Sequence, residues 1–175
     1  QLNLGHSPAQ IAQADGHDPV YGWVSDEELR RLDEALATAG GRRVLLFTHQ
    51  LLAPWSNHEA WRDFYAVRNA PAVREVLSRH GNVAAVFQAH AHRFDVRRMA
   101  LGRSECPFVV LPSLIEYPLA WVQLDLDGTF LRMRLRQLPL PDLQEASRTS
   151  GGGQSWRAGR PEWRDLTIPL HPMHV

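Results

Sequence analysis

The sequence predicts a mixed α/β fold (α+β), in which a helix–strand–helix–strand half precedes an antiparallel half. Two short apolar runs, residues 43–48 and 83–88, each follow a segment with helical spacing. This alternation favours parallel strands joined by a crossover. Further strand-like runs come later, and Asp127-Gly128 between the last two is typical of a hairpin turn. A chain of 175 residues is long enough for one domain with its own core.

The first predicted helix begins after Ser25. Ser25 and Glu28 form a capping-box pattern, in which each side chain accepts a hydrogen bond from the backbone at the start of the helix. Leucines then recur at helical spacing, and Gly40-Gly41 ends the helix. Because the following run, 43–48, is short and continuously apolar, it predicts a strand covered on both faces.

A second helix is predicted to begin at Asn69, with Pro71 in its first turn. Its apolar stripe consists of Val73, Val76 and Leu77, and Gly81 follows its last residue. A shorter helix is expected over residues 58–66. The run 83–88 that follows the second helix is predicted to be the next buried strand.

The remaining strands are predicted over residues 94–100, 108–111, 121–126 and 130–135. From residue 137 onward Pro, Gly, Ser and Arg dominate, so we expect residues 141–175 to be poorly packed or draped on the surface, with Trp156 and Trp163 as anchors. The predicted organisation is an irregular lead-in (1–24), a folded domain (25–138) and a Pro/Gly-rich tail (139–175).

Composition argues against several classes of partner. Lys+Arg and Asp+Glu both number 19, so no broad basic field favours nucleic acid. No apolar run approaches the roughly 20 residues that span a bilayer, so no membrane association is expected. Cys106 is the single cysteine, which excludes an internal disulfide and favours a buried thiol. The cellular location is left open.

Three of the nine histidines occupy positions suited to a metal site. His49 follows the first predicted strand, and His90 and His92 follow the second. Ligands of open α/β sheets gather outside the carboxyl ends of the strands, and neutral imidazole is a common metal ligand. If the backbone stays extended, His90 and His92 point to the same side. The sequence therefore predicts that these three rings converge on a metal.

The order of these motifs resembles the C-terminal half of a calcineurin-like metallophosphoesterase. The resemblance is carried by Thr48-His49 after a strand, by Gly81-Asn82-Val83, by residues 86–92 ending in His-Ala-His, and by residues 111–118. It covers residues 20–136. The resemblance implies a β-sandwich flanked by helices, with two divalent or trivalent metal ions (Mn, Fe, Zn or Ni) that hydrolyse a small phosphoester through an activated water.

Residue roles follow from the same resemblance. His49 and His90 would bind one ion and His92 the other. Ala89 stands where the family usually has glycine, whose backbone tolerates positive φ. Three further residues near the strand ends are candidates for the substrate pocket: Arg93 for an anionic phosphate, and Glu116 and Tyr117 for its shape. A solvated arginine and a hydrogen-bonded polar pair are the structural alternatives.

The family's N-terminal motifs, Asp-x-His, Gly-Asp and Gly-Asn-His-Glu/Asp, are not found before His49. Asn57-His58-Glu59 echoes the last of them but lies after His49. Two cations roughly 3.5–4 Å apart repel each other, and three neutral histidines cannot offset that repulsion. We therefore expect the chain to be the C-terminal part of a longer enzyme, inactive alone and completed by the N-terminal half of the same domain.

Two other interpretations remain open. One is a single-metal hydrolase in which all three histidines bind one zinc and leave a position for water. The other is a non-catalytic fragment or a module that pairs with a second chain. The number of metal ions bound separates these interpretations.

Overall fold

A computed structural model of the protein describes residues 22–53 and 66–170. The helices are α1 (Asp26–Ala37), α2 (Ala70–His80) and α3 (Pro141–Thr149), and the strands are β1 (Val44–Phe47), β2 (Val83–Gln88), β3 (Asp95–Leu101), β4 (Ser104–Val110), β5 (Ala120–Leu126), β6 (Phe130–Gln137) and β7 (Asp165–Pro169). Within these segments no helix combines the length and apolar character that crossing a membrane requires.

Four strands form the first sheet, in the order β1-β2-β4-β3. β1 and β2 are parallel, with Val44 opposite Val83, and β2 is also parallel to β4. Only the β3–β4 pair is antiparallel in this sheet. The parallel pairing predicted from the helix–strand alternation is confirmed, and it brings the carboxyl ends of β1 and β2 to one edge.

The second sheet has the order β5-β6-β7 and is antiparallel. The predicted hairpin joins β5 and β6. At its turn the Asp127 carboxylate accepts hydrogen bonds from the N–H groups of Thr129, at 3.0 Å, and Phe130, at 2.7 Å. Short polar side chains stabilise turns in this way, which is why the turn was recognisable from the sequence.

Two core clusters lie on opposite faces of the first sheet. One packs α1 and α2 against it and includes Leu36, Leu77 and Val86. The other lies between the two sheets and includes Phe87 and Met133. Because neighbouring residues of a strand point to opposite faces, β2 contributes to both clusters and is buried throughout. The predicted sheet sandwich with flanking helices is confirmed.

The helix signals are confirmed in part. The capping box of α1 forms, because the Ser25 side chain and the Glu28 carboxylate each accept from the other's backbone N–H. Asn69 occupies the N-cap position of α2, but its side chain bonds to the backbone of Val24 instead. The helix predicted over residues 58–66 lies outside the described residues, except for its last residue.

The prediction that β1 is covered on both faces is confirmed in part, because Val44 and Leu46 pack against the cluster under the helices and Leu45 packs against the cluster between the sheets. β1 forms one edge of the described sheet and pairs with β2 alone. None of its residues is fully buried, and the Phe47 side chain is 55% exposed. A continuous apolar run predicts full burial only for a strand that has a neighbouring strand on each side. Among the described residues, β1 has a neighbour on one side only.

The expectation that the tail is poorly packed or draped on the surface is wrong for β7, whereas α3 has no buried residue and Trp163 packs against the core as an anchor. α3 begins at Pro141, and β7 pairs with β6 from Asp165 to Pro169. Ile168 and Leu170 are buried in the cluster between the sheets. Gly- and Pro-rich composition conceals this because the five residues of β7 obtain their hydrogen bonds from β6 rather than from local structure. The predicted domain boundaries themselves remain predictions.

Candidate metal centre

His49 is brought to the edge of the sheet by backbone pairing that continues past the end of β1. The Thr48 N–H donates to the carbonyl of Phe87 at 2.8 Å, and the Ala89 N–H donates to the carbonyl of His49 at 2.9 Å. The segments that follow β1 and β2 therefore stay in register for one further residue each. This register places His49 next to the residues that follow β2.

The His49 and His90 rings are in direct contact. His90 Nδ1 lies 3.0 Å from His49 Nε2, and the ring centroids are 4.9 Å apart at an interplanar angle of 69°. One nitrogen donates a hydrogen bond and the other accepts it, as the tautomers dictate. Of the three histidines singled out in the sequence, these two are brought together as predicted.

The backbone after β2 is not extended. His90 and His92 have φ values of 59° and 47°, in the left-handed region that residues with a Cβ seldom adopt. Ala89 is not among the described residues with positive φ. The left-handed conformation therefore falls on the histidines themselves, and the extended backbone assumed for residues 90–92 is wrong.

His92 faces a different partner. Its Nδ1 lies 2.8 Å from the Glu116 carboxylate, and the same carboxylate oxygen forms an ion pair with Arg157 at 3.2 Å. Glu116, a candidate for shaping the substrate pocket, is thus engaged by two side chains of the protein. As in the structural alternative, Glu116 is bound within the protein, but its partners are His92 and Arg157.

Arg157 is the residue of this region that sequence reasoning missed. Besides its ion pair with Glu116, it donates from Nη1 to the carbonyl of His92 at 2.9 Å, and its guanidinium lies over the Trp156 ring at 4.7 Å. The Phe94 N–H donates to the Arg157 carbonyl at 2.8 Å. Since 65 residues separate Arg157 from His92, no local pattern could signal the contact.

The other two pocket candidates lie apart from the His49–His90 pair. The Arg93 guanidinium binds the buried carboxylate of Asp95 at 2.8 Å. Tyr117 is half-buried, and its backbone N–H donates to Ser147 Oγ at 2.8 Å. Neither contact involves a histidine.

The surroundings of His90 favour its neutral ring. Burial lowers the pKa of His90, and the neighbouring His49 and His92 lower it further. A neutral imidazole presents an unprotonated nitrogen, which is the form that binds a metal ion.

The donor atoms of the described residues fit a metal in part. No group of three or more His, Cys, Asp or Glu side chains in residues 22–53 and 66–170 is arranged to hold an ion. The His49–His90 pair, however, has a suitable spacing. Bonds of about 2.0–2.1 Å at angles of about 90–110° place two nitrogen ligands of one ion about 2.9–3.4 Å apart, and the observed separation is 3.0 Å.

The chain is similar in sequence to known proteins over about half of its length. No family model matches the chain. Over 93 residues it is 31% identical to the 3′,5′-cyclic adenosine monophosphate phosphodiesterase CpdA of Haemophilus influenzae, covering 53% of the chain and 33% of that protein. Over 91 residues it is 25% identical to a probable cyclic nucleotide phosphodiesterase of Vesicomyosocius okutanii, covering 51% of the chain and 38% of that protein.

The fold of the chain is similar to that of two solved structures. A dimetal phosphatase from Danio rerio superposes with a TM-score of 0.61 at 22% identity, over 86% of the chain and 40% of the phosphatase. PhoD superposes with a TM-score of 0.52 at 13% identity, over 66% of the chain and 30% of PhoD. The chain resembles part of a metallophosphoesterase. The metallophosphoesterase fold that the resemblance implied is therefore confirmed. The chain spans about a third of the length of the curated relatives that it matches.

Proposed function

We propose that this chain is the C-terminal part of a metal-dependent phosphoesterase and carries His49, His90 and His92 as its share of the metal ligands. The contact between His49 Nε2 and His90 Nδ1, at 3.0 Å, is the observation that supports this most directly. The two rings come from different strands and meet at the carboxyl edge of a parallel pair, where α/β proteins bind their ligands.

The role proposed for His92 rests on its contact with Glu116. Metal-binding histidines commonly donate their second ring N–H to a carboxylate, which fixes the tautomer and the orientation of the ring. With Nδ1 donating to Glu116 at 2.8 Å, Nε2 of His92 keeps its lone pair for a metal. Glu116 is then a positioning residue rather than one that contacts the substrate.

Two bound ions would supply an activated water as nucleophile and would stabilise charge on the phosphoryl oxygens. The described residues contribute neutral nitrogen ligands to such a site. They contribute no carboxylate that could bridge two cations at the His49–His90 pair, because the described carboxylates form no ligand group there. We therefore propose that the chain alone is inactive.

The partner that we propose is the N-terminal half of the same domain. Within residues 22–53 and 66–170, β1 pairs with β2 alone, and an apolar pocket of about 220 Å³ beside it is lined by Phe47, Leu114 and Trp121, all partly exposed. Adjacent strands would cover these side chains and would extend the sheet next to His49. The missing carboxylates would then reach the metal site from that side.

The proposed substrate is a small phosphoester. The curated relatives are named as cyclic nucleotide phosphodiesterases, so a cyclic nucleotide is the first substrate to assay, followed by other phosphodiesters and phosphomonoesters. The identity of the metal is to be found by reconstituting the apoprotein with Mn, Fe, Zn and Ni in turn.

The deciding experiment compares the full-length protein with this segment for metal content and phosphoesterase activity. We expect two ions and activity in the full-length protein and no activity in the segment. His49→Ala should lower kcat/KM by more than about 100-fold, because even residues that only orient metal ligands contribute about 10- to 100-fold. His80→Ala, which removes a histidine on α2 that contacts Asp33, is the matched control and should retain activity.

Other outcomes would overturn the proposal. One ion bound by the segment, with hydrolytic activity that depends on all three histidines, would establish the single-metal hydrolase. No metal and no phosphoesterase activity in either protein would establish the non-catalytic module.

A further inference from the structure

A second cavity, of about 630 Å³, lies between β3 and the segment that precedes β7. Arg93, Asp95, Arg97, Trp156, Arg160 and Trp163 line it, and we call it the arginine cavity. Its volume lies within the range of about 300–1,000 Å³ that is typical of small-molecule sites. None of the three histidines is among its lining residues, although Arg93 directly follows His92 in the chain.

The arginine cavity carries an excess of positive charge. Three guanidinium groups line it against one carboxylate, that of Asp95. The Asp95 side chain is 3% exposed and accepts from Arg93 at 2.8 Å and from Arg97 at 3.3 Å, so one buried anion orients two cations. Glu162 lies 3.8 Å from Arg160, and both of these side chains are well exposed. In a chain with no formal net charge, this excess is local.

Guanidinium groups suit phosphate in particular, because their planar array of N–H donors binds two oxygens at once. Arg93 and Arg97 are held by the same carboxylate oxygen of Asp95, and Arg160 reaches the cavity from the opposite wall. An anion between the walls would contact donors from both sides.

Two indole rings add flat surfaces to the charged walls. Guanidinium groups already lie over both rings: Arg157 at 4.7 Å and Arg93 at 5.6 Å from the centre of the Trp156 ring, and Arg160 at 5.2 Å from the centre of the Trp163 ring. A ligand ring that stacks on either indole would take the place of one of these cations. Trp156 is 49% exposed. Bases stack on aromatic side chains, so a ligand that joins a phosphate to a flat ring would use both kinds of wall.

The two walls are held together by close backbone contacts. A Cβ at Gly159, where φ is +65°, would lie 2.5 Å from the carbonyl oxygen of Phe94. The Phe94 N–H also donates to the Arg157 carbonyl at 2.8 Å. The segment that carries Trp156 and Arg160 is thereby fixed against the start of β3, which makes the cavity a formed site rather than a gap between loose segments.

We propose that the arginine cavity binds a phosphorylated small molecule with a flat ring, a nucleoside monophosphate being the simplest example. The phosphate lies between Arg97 and Arg160, and the ring stacks on an indole. This inference does not depend on the proposed phosphoesterase activity, since no histidine lines the arginine cavity.

Calorimetric titration of the 175-residue chain with guanosine monophosphate, ribose phosphate and guanosine tests the proposal. Guanosine monophosphate should bind at least about 10-fold more tightly than either of the others, because each lacks one of the two groups. Arg97→Gln and Arg160→Gln should each weaken that binding about 10-fold or more. Both side chains are substantially exposed, and circular dichroism confirms that the variants fold.

Two control variants show whether binding depends on the arginine cavity itself. Arg132→Gln removes a cation paired with Asp165 on the second sheet and should leave binding unchanged; an equal loss would mean that only overall charge matters. His49→Ala should also leave binding unchanged, and a loss there would move the ligand to the histidines. Absence of binding at millimolar nucleotide, or binding unaffected by both cavity variants, overturns the proposal.

Discussion

The guanidinium of Arg157 donates a hydrogen bond to the backbone carbonyl of His92 over 2.9 Å, across 65 residues of sequence. His92 has a left-handed backbone, which costs on the order of 1 kcal/mol or more and persists only when the surroundings impose it. The contact with Arg157 therefore helps to hold the loop of residues 89–92 in its conformation. The C-terminal segment thus supports the proposed metal centre without contributing a ligand.

Arg157→Met is expected to lower the free energy of unfolding by about 1–3 kcal/mol, because it leaves a carbonyl and a carboxylate without a charged donor. Urea denaturation followed by circular dichroism measures the change. Arg148→Met, which removes an exposed arginine paired with Glu145, is the matched control and should cost at most about 1 kcal/mol. Equal losses in the two variants would show that Arg157 has no special role.

The pH dependence of stability should report the contact between α1 and α2. The hydrogen bond from His80 is the largest influence on the pKa of Asp33 and lowers it. Desolvation opposes this to a smaller extent, and the charge of Arg79 also lowers the pKa. A carboxyl whose pKa is lowered on folding stabilises the protein above its ordinary pKa of about 3.9, and this stabilisation is lost as the pH falls through the lowered value.

Asp33→Asn should therefore lose less stability than the parent protein when the pH falls from about 5 to about 2. Thermal unfolding at a series of pH values measures the difference. His80→Gln and the double variant complete a cycle, in which the second substitution should add little to the first. Parallel pH profiles for the parent and Asp33→Asn would rule out the contribution.

Cys106 should be unreactive in the folded protein. It is 1% exposed, and burial raises the pKa of its thiol to about 12. Because the thiolate is the reactive form, labelling by iodoacetamide should be slower than in denaturant by at least about 100-fold. Ser104→Cys in a Cys106→Ala background places a thiol at an exposed position of the same strand and should react readily. Fast labelling of Cys106 would contradict its burial.

Ala89→Gly should not stabilise the loop of residues 89–92, although the resemblance noted in the sequence implies a glycine at this position. Ala89 lacks positive φ in this structure, so glycine would only add freedom to the unfolded chain and should cost about 0.4–1 kcal/mol. Gly81→Ala is the opposite control, because φ is +63° there and a Cβ would meet no atom within 4 Å. It should destabilise through backbone strain alone. A gain in stability for Ala89→Gly would contradict the assignment of strain to the histidines.

Local signals in the sequence predicted those parts of the fold that depend on nearby residues. The Ser25–Glu28 capping box and the Asp127-Gly128 turn involve contacts within three residues, so their patterns are legible without the fold. The parallel pairing of β1 and β2 was also predictable, because a crossover connection leaves one arrangement of short buried strands.

Distant partners explain what the sequence did not show. β7 exists because β6 pairs with it, and nothing in the composition of residues 141–170 marks that strand. The direction of the His92 ring depends on one backbone angle and on Glu116, so alternation along an extended chain could not predict it. The meeting of His49 and His90 was predictable, because both follow strands that end at the same edge.

Among the described residues one side of β1 has no partner strand, and this has a practical consequence for work on the 175-residue chain. A bare strand edge is a template for adding another strand, and next to it the ring of Phe47 is 55% exposed. When the segment is produced on its own, pairs of molecules can meet at this edge, β1 to β1. The fraction of dimer should then rise with protein concentration, and a polar substitution such as Phe47→Lys should keep the protein monomeric.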